Sequence, residues 1–197
     1  MNNGDVSQGR RRFLIGATSV VGGVGVVGAA VPFVASWNPS AKAEAAGAPV
    51  TVNISKIEPG QQITVAWRGK PVWIVRRTEQ MLESIKKLND KVKDPNSEEP
   101  QQPPYITGIY RSIKPEIVVL VGICTHLGCV PSYRPEVAPA DLGKDWLGGF
   151  FCPCHGTHYD MAGRVYDAQP APLNLEVPPY RYDNDVTLTI GLDPEAA

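Results

Sequence analysis

Two stretches, CTHLGC at residues 124–129 and CPCHGTH at 152–158, decide how the rest of the chain is read. The chain has 197 residues, four cysteines and three histidines, and all seven of those side chains fall inside these stretches. Their spacing is Cys124-x-His126-x-x-Cys129, a gap of 22 residues, then Cys152-x-Cys154-His155-x-x-His158. Thiols and imidazoles gathered in this way point to metal ligation.

Three chemistries compete for such a set. Two structural disulfides with incidental histidines leave the matching C-x-H and C-x-C-H steps unexplained. Structural zinc takes Cys and His in tetrahedral sets, but its usual C-x₂₋₄-C spacing with a distant His pair fits poorly. A [2Fe–2S] centre, with two thiolates on one iron and two imidazoles on the other, fits best. Each loop then supplies one sulfur and one nitrogen, and the loops clasp the cluster from opposite sides. Neutral imidazole in place of thiolate makes such a cluster easier to reduce, at roughly −150 to +300 mV against about −400 mV for plant-type ferredoxins. Two cysteines are left over and are free to join the loops.

Outward from the motifs, the chain reads as short strands. VTVNIS (50–55), QITVAW (62–67) and PVWIVR (71–76) alternate apolar with polar residues, and Arg68-Gly69-Lys70 reads as a hairpin turn. IVVLVGI (117–123) is a continuous apolar run leading into the first box, and LNLEV (173–177) and VTLTIGL (186–192) supply later strands. Residues 78–93 break the pattern, with Met81, Ile85, Leu88 and Val92 at helical spacing, which predicts one amphipathic helix ended by Asp94-Pro95. Gly 19 and Pro 19 accord with many turns. The fold expected from these patterns is all-β: antiparallel sheets with one surface helix, within a head domain over 50–197. With 19 basic and 20 acidic residues the chain carries no electrostatic footprint for nucleic acid.

The N-terminus adds a second kind of information. Arg10, Arg11 and Arg12 precede an uncharged apolar run from Phe13 to Ala35, and Arg-Arg-x-Phe-Leu looks like a twin-arginine export signal. Ala41-Lys42-Ala43 has the form of a signal-peptidase site, yet 23 apolar residues exceed the ~7–15 of a cleaved signal. As a helix the run spans roughly 34 Å, enough for a hydrocarbon core of ~30 Å. Residues 1–36 are therefore expected to be an export signal kept as a transmembrane anchor, with the arginines in the cytoplasm. Residues 37–49 (WNPSAKAEAAGAP) suit a flexible hinge, their Ala-rich centre being equally able to form a short helix.

The pattern CTHLGC … CPCHGTHYD … PAPLNLEVP resembles the Rieske iron–sulfur subunits of the respiratory cytochrome bc complex, over nearly the whole chain. The resemblance implies a small inserted cluster-binding subdomain at about 122–175, holding one [2Fe–2S] cluster with Cys124 and Cys152 on the inner iron and His126 and His155 on the outer one. It implies a Cys129–Cys154 disulfide tying the loops, and Leu127 as an apolar docking surface at the tip. Thr157 is expected to donate to a bridging sulfide and Tyr159 to the Cys124 sulfur. Such donors stabilise the reduced cluster and raise its potential. Pro170-Ala171-Pro172 resembles the loop covering the cluster from a third side. His158 is left without a ligand role.

Three departures stand out. Thr157 replaces the usual serine, Gln169 stands where glycine often opens the proline loop, and the inter-box segment 133–149 is long enough for an extra surface loop. The family implies that the head takes one electron, and a proton through His155 with His126 similarly exposed, from quinol at cytochrome b. It then swings to pass the electron to a c-type cytochrome, within a dimeric complex, on the periplasmic side of a bacterial inner membrane. A Rieske oxygenase component is a poor rival, since only His158 remains for a second iron. The other rival is the small Rieske subunit of an exported soluble oxidase of the arsenite-oxidase kind, which cleavage after Ala43 and a missing disulfide would mark.

Overall fold

A computed structural model describes residues 7–194, so residues 1–6 of the expected export signal and 195–197 of the expected head lie outside the described residues. The chain divides into two compact units, Met1–Ala45 and Ala46–Ala197, with the boundary inside the predicted hinge.

In the first unit, helix α1 spans Gln8–Ala35, 28 residues, and takes in the three arginines ahead of the apolar run. At about 1.5 Å per residue it is about 42 Å long, sufficient to cross a bilayer. None of its residues is buried by the protein. Ser7 caps its start, and Ser36 closes its end with its amide on Pro32 O at 3.0 Å. A second helix, α2 (Ala41–Gly47), occupies the centre of the predicted hinge, and the Ser40 hydroxyl accepts from the Ala43 amide at 3.2 Å.

The second unit is built from three antiparallel sheets of three strands each. β1 (Val50–Asn53), β9 (Thr187–Ile190) and β8 (Tyr180–Asn184) form one, in that order. β2 (Gln62–Trp67), β3 (Lys70–Arg76) and β4 (Ile117–Val121) form the second. The Arg68-Gly69 turn has positive φ at both residues, and Trp67 pairs with Lys70, so the loop is two residues and Lys70 belongs to the strand. β5 (Ser132–Arg134), β6 (Gly149–Cys152) and β7 (Thr157–Tyr159) form the third, and it carries the second cysteine box.

The apolar run of β4 is buried at every position, as a strand covered on both faces requires. Its core joins the second and third sheets through Trp73 stacked on Phe150, ring centroids 4.9 Å apart and nearly coplanar at 8°. The same core includes Cys124 and Cys152, so the metal-ligating chemistry sits at the edge of packed hydrocarbon.

Three local expectations are corrected. β4 stops at Val121, where the Ile123 amide turns back onto Val121 O at 2.8 Å; at residue 122 only glycine fits, since the Trp73 ring lies where a side chain would stand. Helix α3 covers Glu79–Lys87, capped by Thr78, and a 3₁₀ turn follows at Asn89–Lys91; Val92 already pairs with Tyr166. Ile85, Leu88 and Val92 are buried as the periodicity required. LNLEV is not a strand. Its backbone bonds go singly to different segments, Leu175 N to Gly163 O, Val121 N to Glu176 O and Val177 N to Gln101 O, so no ladder forms.

Candidate metal centre

The two boxes fold into matching turns. In the first, the Gly128 amide donates to Cys124 O at 3.0 Å; in the second, the Gly156 amide donates to Cys152 O at 2.9 Å. Each closes a five-residue loop from cysteine to glycine. Gly128 and Gly156 hold φ of 82° and 74°, a left-handed conformation that glycine adopts without steric cost. Within each turn the backbone thus brings a cysteine and a histidine to the same end of the third sheet.

The disulfide is present: Cys129 and Cys154 are bonded, and the Cys124 amide donates to Cys129 O at 2.7 Å beside it. The sulfurs of Cys129, Cys152 and Cys154 lie within 4.8 Å of one another, but the disulfide consumes two of them. The remaining free thiols, Cys124 and Cys152, are both buried. Burial, reinforced by Cys124 alongside, pushes the Cys152 thiol up. A thiolate at this position therefore needs a cation to compensate it.

The histidines meet edge to face, His126 and His155, with ring centroids 4.6 Å apart at 81°. His155 is exposed and His126 half-buried. The His126 Nδ1 is buried without a hydrogen-bond partner, and so is the Thr157 hydroxyl. Buried polar groups rarely stay unpaired. Two free thiols, paired imidazoles with a bare inward nitrogen, and an unspent hydroxyl fit the donor set of a mixed Cys₂His₂ iron–sulfur cluster.

Tyr159 is fully buried, and its hydroxyl lies 3.2 Å from Cys124 Sγ. Burial, then the nearby Cys124, holds the phenol proton more tightly than usual, so Tyr159 stays a donor. Thr125, which the sequence did not single out, organises this contact. Its amide and hydroxyl both lie 3.2 Å from the Tyr159 oxygen, and its hydroxyl donates to Leu173 O at 2.6 Å. That bond fastens the proline loop to the first box. Ala171 is buried and Pro170 is exposed. Gln169, where glycine was expected, accepts from the His158 amide at 3.1 Å, and the positive φ falls instead on Ala168.

Leu127 is 71 % exposed and Val130 is 53 % exposed, so the tip of the first box is apolar surface next to an exposed imidazole. His158 does not join the other two histidines. Its ring packs against Trp146, Phe151 and Tyr166, at centroid distances of 5.2, 5.4 and 5.8 Å, and burial lowers its pKa. Trp146 belongs to the long inter-box loop, which is pinned by its indole donating to Arg134 O at 3.1 Å and by Arg134 on Asp141 at 2.8 Å.

Behind β7, the turn 160–164 carries a buried polar assembly that no sequence motif announces. Asp160 accepts from the amides of Ala162 and Arg164 and pairs with the Arg164 guanidinium at 2.8 Å. Arg77 donates to Met161 O, and Arg111 donates to the carbonyls of Ala162, Gly163 and Leu175. Burial lowers both Arg77 and Arg111 to about 10, with Asp160 opposing the shift. Arg77 and Arg111 stay charged at neutral pH and, with Arg164, lock the turn that follows the second box.

Comparison with known proteins agrees with this geometry. Residues 48–180 match the model of the Rieske [2Fe-2S] domain, and residues 1–40 match that of the ubiquinol–cytochrome c reductase Fe-S subunit TAT signal. The ubiquinol–cytochrome c reductase iron–sulfur subunit of Allochromatium vinosum is 58 % identical over 188 residues, covering 95 % of this chain and 91 % of that protein. Its counterpart in Rhodospirillum rubrum is 43 % identical over 183 residues, covering 92 % and 91 %. Among solved structures, a chain of a hyperthermophilic respiratory Complex III is 29 % identical with a TM-score of 0.48, covering 90 % of this chain and 98 % of that one. The chain belongs to the iron–sulfur subunits of ubiquinol–cytochrome c reductase, is membrane-anchored through its apolar N-terminal helix, and carries one Rieske [2Fe–2S] cluster.

Proposed function

We propose that this chain is the electron-transferring subunit that moves one electron from quinol, bound against cytochrome b, to the c-type cytochrome of a dimeric bc complex. The observation that carries the reading is the grouping at the tip: two buried free thiols beneath two touching imidazoles, flanked by exposed Leu127. Cys124, Cys152, His126 and His155 hold the cluster, residues about 122–175 forming its subdomain. The bound group supplies a one-electron couple raised well above that of an all-cysteine cluster.

The residues around it perform the rest. His155, exposed, presents a ring nitrogen to the quinol hydroxyl and takes up its proton as the electron leaves; His126 is placed to share that role. Leu127 and Val130 give the contact an apolar, water-poor rim. Tyr159 and Thr157 aim hydroxyl protons at the sulfurs, favouring the more negative reduced state. The Cys129–Cys154 bond keeps the two boxes in register.

The twin-arginine start of α1 supports an inner-membrane anchor with the arginines cytoplasmic and the head on the periplasmic side. Residues 37–49 act as the hinge on which the head travels. The disulfide sets aside the exported soluble oxidase subunit, which was to lack it.

Proton coupling is tested by titrating the midpoint potential against pH in the isolated complex. The potential is expected to fall by about 59 mV per pH unit on the alkaline side, the slope for one proton per electron. Substitution of the exposed His155 should also abolish quinol-dependent reduction of the cytochrome. A potential flat from neutral pH to pH 10 would remove the histidines from the proton path.

A further inference from the structure

We propose that Lys93 and Asn174 are positioning residues that clasp the proline loop from behind and hold it against the first cysteine box. The inference rests on the iron–sulfur reading above, but concerns residues that reading does not use. Lys93 Nζ donates to Ala171 O at 3.1 Å, in the centre of the loop. Asn174, 1 % exposed at the loop's end, is fully spent. Its Oδ1 accepts from the Val165 amide at 2.9 Å, and its Nδ2 donates to Asp94 O at 3.0 Å and reaches Ser97 Oγ at 3.4 Å.

Backbone bonds run between the same two segments. The Lys93 amide donates to Val165 O and the Asp167 amide to Lys91 O, both at 2.9 Å. Segment 91–97, a polar stretch between a helix and a Pro-rich loop, is thus tied to residues 165–174 at five points. A cleft of about 230 Å³, lined by Lys93, Asp94, Glu98, Glu99, Pro172 and Leu173, separates them elsewhere.

The consequence for the centre follows from one further bond. Leu173, next to Asn174, offers the carbonyl that takes the Thr125 hydroxyl proton at 2.6 Å, and Thr125 contacts the Tyr159 oxygen beside Cys124. A displaced loop withdraws that carbonyl, and the Thr125 hydroxyl then turns toward Tyr159. The clasp therefore controls a hydrogen-bond chain that ends on a cluster sulfur.

The test uses the holoprotein in its isolated complex, with amide hydrogen exchange and the electron paramagnetic resonance spectrum of the reduced cluster as two separate readouts. Lys93→Met is expected to speed exchange at Asp167 and Leu175 up to about tenfold, the upper range for one lost hydrogen bond. Exchange in β3 and β4 should be unchanged, the g-values should broaden or shift, and Lys93→Arg should restore both. Asn174→Ala is expected to do the same at Val165. If it fails to fold, Lys93→Met, an exposed site, decides alone. Exchange and spectrum indistinguishable from the parent would overturn the proposal, and so would uniform acceleration throughout the head. Absence of the reduced-cluster signal in the parent protein would instead sink the iron–sulfur reading.

Discussion

The Tyr159 hydroxyl stands where, on the proposed function, a single proton donor tunes the centre. It donates toward Cys124 Sγ from 3.2 Å inside the core, where a hydrogen bond to charged sulfur is strong. Tyr159→Phe is expected to lower the midpoint potential by roughly 60 mV, a tenfold change for a one-electron couple, as read by redox titration. An unchanged potential would mean that the hydroxyl serves only Thr125. His158 makes a different prediction. Its pKa is lowered from 6.5 by burial among aromatic rings, so folding favours the neutral ring. Its stabilising contribution is complete above about pH 6.5 and is lost as pH falls through the folded-state pKa. The melting temperature of His158→Gln should therefore fall less between pH 7 and 5 than that of the parent. The gathering of thiols and imidazoles was legible because metal chemistry confines residue type and spacing together, although two of the thiols form the disulfide and His158 packs among aromatic rings. Thr125 was not, since a threonine's partners depend on where Leu173 arrives from 48 residues away.

At the scale of elements, the two boxes are the same device: a cysteine-to-glycine turn closed by one amide and stapled to its twin. Replacing Cys129 and Cys154 together by serine should cost about 3 kcal/mol in chemical denaturation, the usual worth of a crosslink spanning 25 residues. Arg111 matters as much without any motif. Its guanidinium is fully buried and satisfies carbonyls of Gln101, Ala162, Gly163 and Leu175. Arg111→Met should cost about 3–5 kcal/mol, read the same way, because those carbonyls lose their donor and Asp160 loses a cation. Strands β2 and β4 follow their alternation and apolar run, whereas β3, the central strand of its sheet, is buried at four successive positions from Val72 to Val75 instead of alternating. LNLEV has the same look yet forms no ladder, since periodicity reports burial and says nothing of which backbone lies alongside. α3 ended early for a related reason: Val92 is apolar at helical spacing, but pairing with Tyr166 claims its backbone.

The described residues form an apolar helical unit and a β-rich unit, the first legible as an uncharged apolar run and the second as a series of short strand patterns. What those patterns could not reveal is how three buried arginines and a single aspartate stitch helix α3 and the segments around Gln101 and Pro115 to the turn behind the second box. On the proposed function, this chain holds a Cys₂His₂-ligated [2Fe–2S] cluster poised for quinol oxidation. The most direct measurement is low-temperature electron paramagnetic resonance of the membrane-extracted protein, titrated with dithionite and with the histidines labelled with ¹⁵N. A rhombic signal with two histidine nitrogen couplings is expected, appearing with a midpoint between roughly −150 and +300 mV. A silent sample, or a signal without nitrogen coupling that appears only near about −400 mV, would contradict it.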